Sequence, residues 1–337
     1  MPAFNLIDRI KSNTPSDTMR FELFLSDYCN YQCWYCSDEF HSKTVQWPSI
    51  EPLLSNFLYL LDYYKAIGKQ RFIIHLGGGE PSLWPSITDF VKGIKAHADC
   101  IVSLTSNGSR TLRWWEENAK HFDHILLSVH HEKVDPLHLS QVGDIVYKSN
   151  VPLWSSVLMD PNEWDKCVNI IKTLKKSQYK WSITATQIHH HTISYTQEQK
   201  NFLEKKKHRG NNVFYELFVN RKSPKYPKPS IFYKGKSKKV SAHWLLLNGF
   251  NNFKGWQCNV GVDTAFINKQ GNIKGSCGNK LYGEDFFFNI YKEDFKEMFN
   301  PDITPVICDM SRCICQPEVN CTKINLNKVK YIKILKE

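Results

Sequence analysis

The sequence lacks the features of a secreted or membrane-embedded protein. No run of about 18 apolar residues occurs, which excludes a transmembrane helix. Residues 1–17 contain neither an apolar core nor a small-residue cleavage site, so we expect no secretory signal. Charged residues make up 23% of the 337 residues and hydrophobic residues 42%, which excludes wholesale disorder and allows one large domain or two unequal ones. We therefore expect a cytoplasmic globular protein.

Acidic residues are fewer than basic ones. The chain has 33 aspartates and glutamates against 44 lysines and arginines, a formal net charge of +11. Much of the excess lies between Lys200 and Lys239, a stretch that proline and glycine interrupt. We interpret this stretch as a solvated surface insertion, with steering of an anionic substrate as the functional alternative. Its interleaved aromatic residues suit stacking on single-stranded RNA, but no recognisable RNA-binding motif is present.

Disulfide bonds rarely persist in a reducing cytoplasm, yet the chain has eleven cysteines. Three of them lie within residues 29–36 and four within residues 308–321. Clustered cysteines in a reducing compartment are typical of metal or iron–sulfur ligands. Cys100 and Cys167 stand alone in apolar segments, and we predict that they pack as small hydrophobic side chains.

Apolar strand-like segments alternate with longer helical patterns through residue 187. The predicted strands are 21–26, 71–76, 101–105, 124–129, 151–159 and 180–187. The predicted helices are 49–66, 84–97, 113–120, 136–148, 162–176 and 195–207. Repeated strand–helix units favour an α/β fold with parallel strands and right-handed crossovers. In such folds the functional residues collect in the loops that follow the strands.

A short motif follows each of the first four predicted strands. These motifs are Cys29–Cys36, Gly77–Pro81, Ser106–Gly108 and His130–Glu132. Because the carboxyl ends of parallel strands meet at one edge, we expect the four motifs to lie at the same mouth. Three histidines, 189–191, follow the sixth predicted strand and either supply a proton donor or anion contact or form a plain surface loop.

The first cysteine set has the spacing C-x3-C-x2-C, over Cys29, Cys33 and Cys36. Three thiolates on a compact loop can hold three irons of a [4Fe–4S] cube and leave the fourth iron open, whereas most electron-transfer clusters have four cysteine ligands. Zinc is the main alternative. Zinc sites, however, usually present paired C-x2-C units and complete four ligands locally, and His41 is the only candidate partner nearby.

This cysteine loop resembles that of the radical S-adenosylmethionine (SAM) superfamily. The resemblance rests on the three cysteines, on Tyr35 before the third of them, and on the sequence Gly-Gly-Glu-Pro at 78–81, and it covers about the first 190 residues. It implies a partial (β/α)6 TIM-type barrel. It also implies that the open iron of a [4Fe–4S] cluster binds SAM, and that one electron cleaves SAM to methionine and a hydrogen-abstracting 5′-deoxyadenosyl radical.

The same resemblance assigns SAM-binding roles to eight residues. They are Tyr35, Gly78, Gly79, Glu80, Ser106, Asn107, Ser128 and His130. The Gly-Gly-Glu motif would receive the methionine amino group, and the Ser-Asn pair would bind ribose hydroxyls or the SAM carboxylate. Tyr35 would contact adenine, with a buried packing role as its alternative, and the last two residues could touch ribose or substrate. A simple turn is the alternative for the Ser-Asn pair. No catalytic side chain is assigned.

Six cysteines form a second set towards the C-terminus. They are Cys258, Cys277, Cys308, Cys313, Cys315 and Cys321. This set resembles the SPASM or shorter Twitch domains that bind auxiliary clusters after many radical SAM cores, although the SPASM pattern has more cysteines. We expect one auxiliary [4Fe–4S] cluster on about four of the six, with zinc in the same thiolates as the alternative.

The predicted domain organisation places a radical SAM core at 1–194, a basic bridging region at 195–245, an auxiliary-cluster domain at 246–325 and a tail at 326–337. The favoured hypothesis is an enzyme that oxidises, cross-links or epimerises a peptide or protein, reduced by an external donor such as flavodoxin or ferredoxin, with no membrane or nucleic-acid partner. Three alternatives stay open. They are a radical SAM dehydrogenase or epimerase of a sugar-like or other small anionic metabolite, a non-catalytic zinc-binding module, and an RNA-modifying enzyme.

Overall fold

The computed structural model describes residues 4–12, 14–179, 181–188, 192–210, 229–240, 245, 249–274, 288–301, 303–313, 319 and 321–328. The predictions made for the histidines at 189–191 and for Cys277 and Cys315 therefore lie outside the described residues, as do residues 211–228 of the basic stretch. In the described part of the chain, no helix is both long enough and apolar enough to cross a membrane.

The described residues form a mixture of strands and helices. The strands are β1 (Ile7–Lys11), β2 (Thr18–Phe24), β3 (Arg71–Gly77), β4 (Asp99–Ser106), β5 (His124–Val129), β6 (Leu153–Met159), β7 (Ser182–Gln187), β8 (Ser230–Tyr233), β9 (Lys236–Lys239), β10 (Gln257–Cys258), β11 (Thr264–Ile267), β12 (Ile273–Lys274), β13 (Val306–Ile307) and β14 (Lys323–Ile324). The helices are α1 (Ile50–Ala66), α2 (Ile87–His97), α3 (Leu112–Asn118), α4 (Pro136–Lys148), α5 (Trp164–Leu174), α6 (Gln197–Gly210) and α7 (Phe295–Met298).

One sheet has the strand order β12-β11-β2-β3-β4-β5-β6-β7, and β4 to β7 pair in parallel. The six predicted strands correspond to β2–β7, and the six predicted helices to α1–α6, with each boundary within about three residues. The alternation of strands with helices confirms the predicted α/β fold and agrees with a partial TIM-type barrel.

Helix α4 shows why the predicted boundaries agree with the structure. The Asp135 side chain caps the helix by accepting hydrogen bonds from two backbone amides of the first turn, and Pro136 occupies a first-turn position. Leu139, Val142 and Val146 recur at helical spacing and are buried. Both signals are local in sequence, so the helix is predicted at its observed bounds.

The two isolated cysteines pack as predicted. Cys167 on α5 is fully buried, and Cys100 on β4 is 7% exposed. Both are buried with the core residues, so the prediction that they pack as small hydrophobic side chains is confirmed.

Contacts divide the chain into two compact units. The barrel unit consists of Leu23–Ile50 and Ile74–Lys225, and the sheet unit of Met1–Glu22, Glu51–Ile73 and Tyr226–Glu337. Two N-terminal segments thus group with the C-terminal part of the chain. The domain boundaries predicted at residues 194, 245 and 325 stay predictions.

The sheet unit contains a second sheet, with the order β13-β10-β14-β1-β8-β9. Strand β1 pairs with β14 and β8, and β8 forms a hairpin with β9 through Lys234 and Gly235, both at positive φ. Residues 230–239 of the predicted basic insertion thus form a hairpin in this sheet, and their role as a solvated surface insertion stays a prediction. Lys236, Lys238 and Lys239 lie exposed on β9, an edge strand, where lysines discourage pairing with other chains.

Candidate functional site

The loops that follow β2, β3, β4 and β5 line one cleft of the barrel unit. The cleft encloses about 760 Å³ of empty space, part of it open to solvent. Its lining residues are Phe24, Cys29, Tyr31, Cys33, Cys36, Phe40, His41, His75, Gly77, Gly78, Gly79, Glu80, Thr105, Ser106, Asn107, Ser128 and His130.

Most of the residues predicted from the sequence meet in this cleft. All three cysteines of the first set line it, and so do the Gly-Gly-Glu motif, the Ser-Asn pair, Ser128 and His130. Tyr35 is the exception, because it is not among the lining residues. The strand-end motifs thus converge as expected for parallel strands.

The cysteine loop is compact, with Cys33 buried and Cys29 and Cys36 half-buried. The Cys36 amide donates to the Cys33 carbonyl at 3.0 Å, and the Tyr31 amide donates to Cys29 Sγ at 3.3 Å. Burial raises the pKa of the Cys33 thiol to about 12 and that of Cys36 to about 11, and it also raises the pKa of Cys29. Without a metal the thiols are therefore protonated at neutral pH, so ligation must release their protons.

Asp27 fixes the far side of this loop. Its buried carboxylate accepts hydrogen bonds from Ser42 Oγ at 2.6 Å, from the Thr44 amide at 3.1 Å and hydroxyl, and from the Val45 amide at 2.8 Å. These hydrogen bonds hold residues 42–45, which follow the cysteines, next to the segment after β2. The sequence analysis missed this residue because its partners lie 15 to 18 positions further along.

The glycines of the Gly-Gly-Glu motif pack directly against the backbone ahead of Cys29. A Cβ at Gly79 would lie 2.3 Å from the Tyr28 carbonyl oxygen, and one at Gly78, where φ is +108°, would lie 2.9 Å from the Ser26 carbonyl oxygen. The Gly79 amide donates to Ser26 O at 3.1 Å. Only glycine permits this approach, so the motif positions the cysteine loop.

Glu80 ties the loop after β3 to the loop after β4. Its carboxylate, 1% exposed, accepts hydrogen bonds from the Ser82 amide at 3.1 Å and hydroxyl at 2.6 Å, from Ser106 Oγ at 2.7 Å and from the Asn107 amide at 2.5 Å. Burial raises the pKa of this carboxyl, and the four donors oppose that shift. Its predicted contact with the methionine amino group stays a prediction.

We expect Glu80→Gln to lower the free energy of unfolding by about 1–3 kcal/mol, because the amide NH₂ would replace an acceptor and leave a buried donor unsatisfied. Denaturant unfolding measures the effect. The matched control is Glu117→Gln on the exposed Arg113–Glu117 pair, which should change stability by less than about 0.5 kcal/mol. Equal stability of the two variants would contradict the assigned role of Glu80.

Asn107 links the loop after β4 to the cysteine loop. Its Nδ2 donates to Asn30 Oδ1 at 2.9 Å and lies 3.9 Å from Cys29 Sγ. Asn30 Nδ2 in turn donates to Ser109 Oγ at 2.9 Å. The cysteine loop is therefore held on one side by the Gly-Gly-Glu motif and on another by Asn107.

Tyr35 lies behind the cleft and contacts His130. Its hydroxyl is 3.1 Å from His130 Nδ1, and its ring stacks on the imidazoles of His130 and His131 at 5.9 and 5.8 Å between centroids. Burial lowers the pKa of His130 to about 4, so its imidazole is neutral at pH 7. Tyr35 is thus placed to orient His130, and its predicted adenine contact stays a prediction.

Several cleft residues were not predicted from the sequence. Tyr31 packs edge-on against His130 at 6.1 Å, and burial raises its pKa to about 12. His75 lies between Ser103 and Thr105, with nitrogen-to-oxygen distances of 2.9 and 3.2 Å. The position of Tyr31 between two cysteines was a usable signal. His75 lies inside a strand, where the sequence gives no such signal.

The second cysteine set is partly described, within the sheet unit. Cys258, Cys308 and Cys321 belong to one buried core cluster, and Cys313 packs against it. Among the described His, Cys, Asp and Glu side chains, no three could hold a single metal ion. That finding includes the Cys29–Cys36 loop and concerns one ion; in a four-iron cube each thiolate binds a different iron.

A family model described as the radical SAM superfamily matches residues 23–203, more than half of the chain. The chain belongs to the radical SAM superfamily. The matched residues include the cysteine loop and every strand-end motif that lines the cleft. The donor set fits the family's cluster, because three thiols and an adjoining cleft lined by polar groups occur together.

Other comparisons show more distant similarity. A GTP 3′,8-cyclase from Synechococcus elongatus is 33% identical over 87 residues, which is 26% of each protein, so the match spans about a quarter of that relative. The solved structure of native anSMEcpe with bound AdoMet has a TM-score of 0.51 at 16% identity, covering 85% of this chain and 81% of the other. The same protein with AdoMet and the Cp18Cys peptide gives a TM-score of 0.52 at 15% identity, with the same coverage. These structural similarities concern the fold alone.

Proposed function

We propose that this radical SAM enzyme cleaves SAM reductively in the described cleft and uses the resulting radical to abstract hydrogen from a peptide or protein. One observation carries the proposal: the three cysteines share a cleft with the Gly-Gly-Glu motif, the Ser-Asn pair and His130. A cluster-binding loop and a polar small-molecule site are thereby adjacent.

Cys29, Cys33 and Cys36 would hold the [4Fe–4S] cluster. When bound and reduced, the cluster supplies the electron that breaks a carbon–sulfur bond of SAM, giving methionine and the hydrogen-abstracting 5′-deoxyadenosyl radical. Neutral His130, held by Tyr35, can offer a hydrogen bond without adding charge. Phe24 and Phe40 give part of the cleft an apolar wall, which limits water near a reactive radical.

We further propose that Cys258, Cys308, Cys313 and Cys321 bind one auxiliary [4Fe–4S] cluster in a SPASM- or Twitch-like part of the chain. The buried core cluster that contains Cys258, Cys308 and Cys321, with Cys313 packed against it, supports a shared site for these four. An external reductant such as flavodoxin or ferredoxin would supply electrons, and a cytoplasmic location suits this chemistry.

Two findings bear on the substrate. The anSMEcpe structure contains a bound peptide, and its fold similarity covers 85% of this chain, which favours a peptide. The 33% identity to a GTP cyclase, together with the net charge of +11, favours a small anionic substrate as the second candidate. The cyclase match covers only 26% of the chain, so we place the peptide first.

The two candidates are separated by isotope transfer. We expect anoxically reconstituted enzyme, given dithionite and SAM, to form 5′-deoxyadenosine, and a peptide digest of a fully deuterated proteome to place deuterium in that product. Mass spectrometry of 5′-deoxyadenosine is the measurement, with deuterated GTP as the parallel arm. Label from GTP alone would replace the peptide proposal with the second candidate. No 5′-deoxyadenosine from cluster-loaded enzyme would overturn SAM cleavage itself.

A further inference from the structure

A buried lysine lies among the four described cysteines of the second set. Lys323, on β14, is 1% exposed. Burial alone would lower the pKa of this lysine, but the charges of Cys258, Cys321, Cys313 and Cys308 raise it above its usual value. Lysine is rarely fully buried, and a charge in the protein interior acts more strongly on its neighbours than a charge in water does.

The strand pairing places Lys323 beside two of these cysteines. Cys258 on β10 is the Cα partner of Lys323 on β14, and side chains directly opposite each other share a face of the sheet. Lys323 Nζ donates to the Cys321 carbonyl at 3.3 Å and lies 5.0 Å from the centroid of the Phe253 ring. The ammonium therefore points into the interior that Cys258 shares.

The other two cysteines are fixed to the segment that precedes β10. Cys308 exchanges backbone hydrogen bonds with this segment, donating to Trp256 O at 2.8 Å and accepting from the Gly255 amide at 2.7 Å. The Cys313 amide donates to Asn251 O at 2.7 Å, and Asn251 Nδ2 donates to Cys313 O at 2.9 Å. Strand pairing or backbone hydrogen bonds thus position Cys258, Cys308 and Cys313, and Cys321 lies two residues before Lys323, whose side chain bonds its carbonyl.

We propose that Lys323 is the internal counter-charge of a metal–thiolate centre on Cys258, Cys308, Cys313 and Cys321, and that it raises the reduction potential of this centre. The inference rests on the proposed auxiliary cluster. One-electron reduction by an external donor adds negative charge to such a cluster, and a nearby ammonium stabilises the more negative state.

The test uses full-length chain in which Cys29, Cys33 and Cys36 are all replaced by alanine, so that only the second cysteine set can bind a cluster. After anoxic reconstitution with iron and sulfide we expect about four irons per chain. A dithionite titration followed by electron paramagnetic resonance should give a lower midpoint potential for Lys323→Met than for the parent. Lys239→Met, on the exposed strand β9, is the matched control and should leave the potential unchanged.

Each outcome decides one part of the inference. Equal potentials at equal iron content would overturn the role of Lys323 and leave the auxiliary cluster standing. A parent chain that binds no iron and sulfide would overturn the auxiliary cluster, whereas SAM cleavage is measured separately on the unaltered enzyme. If Lys323→Met does not fold, Lys323→Arg decides. If Lys323→Arg keeps the iron content and the midpoint potential of the parent, the counter-charge role is supported. If it loses them, Lys323 contributes to packing and not to the potential.

Discussion

Replacing any one of Cys29, Cys33 or Cys36 with alanine is expected to lower 5′-deoxyadenosine formation by more than about 100-fold. Loss of an outer partner at a metal site already costs about 10- to 100-fold, and loss of a ligand removes more than that. The three sulfurs line one cleft on a loop that contacts β3 and β4 loops, so no other described cysteine in the barrel unit can substitute. Product analysis under reducing, anoxic conditions gives the rate.

The chain supplies matched cysteine controls for this experiment. Cys100→Ala and Cys167→Ala remove buried thiols that do not line the cleft. Both variants lose some packing, and they should retain SAM cleavage once their folding is confirmed by circular dichroism. If a variant of the cysteine loop cleaves SAM as fast as these controls, the assignment of the cluster to that loop is wrong.

The strand-end placement of the cleft residues was predictable because its signals are local. Apolar segments of strand length end just before Cys29, Gly78, Asn107 and His130, and parallel strands bring their carboxyl ends together. Hydrophobic periodicity and turn residues within short sequence windows were enough to predict strands β2–β7. Sequence order and spacing were therefore enough to predict most of the residues that line the cleft. The family resemblance added their expected chemical roles.

The remaining features depend on partners distant in sequence, which local patterns do not encode. Strand β1 has only two buried side chains in five residues, and its partners β8 and β14 lie more than 200 residues away. The local sequence does not distinguish Lys323 from a surface lysine, and its burial is evident only once β14 is paired with β10. The family resemblance predicts that Tyr35 contacts adenine, whereas the structure shows its ring stacked on His130 and His131.

Gly79→Ala is expected to reduce SAM cleavage by about 100-fold, because displacement of a site by about 1 Å can have an effect of that size. A Cβ at this position would meet Tyr28 O at 2.3 Å and Tyr28 C at 2.6 Å, and both are backbone atoms that cannot rotate away. To relieve this steric clash, the segment between β2 and Cys29 would have to move relative to β3. The cysteine sulfurs would then shift relative to Glu80 and the rest of the cleft.

The same substitution at Gly68 separates this local effect from a general loss of stability. Gly68 also has a positive φ, of +97°, but a Cβ there would meet nothing within 4 Å. Gly68→Ala should therefore cost about 1–2 kcal/mol of backbone strain without affecting the cleft. Comparing SAM cleavage and denaturant unfolding in both variants tests the argument. A Gly79→Ala enzyme that loses stability but cleaves SAM as well as Gly68→Ala would show that the glycine motif does not position the cysteine loop.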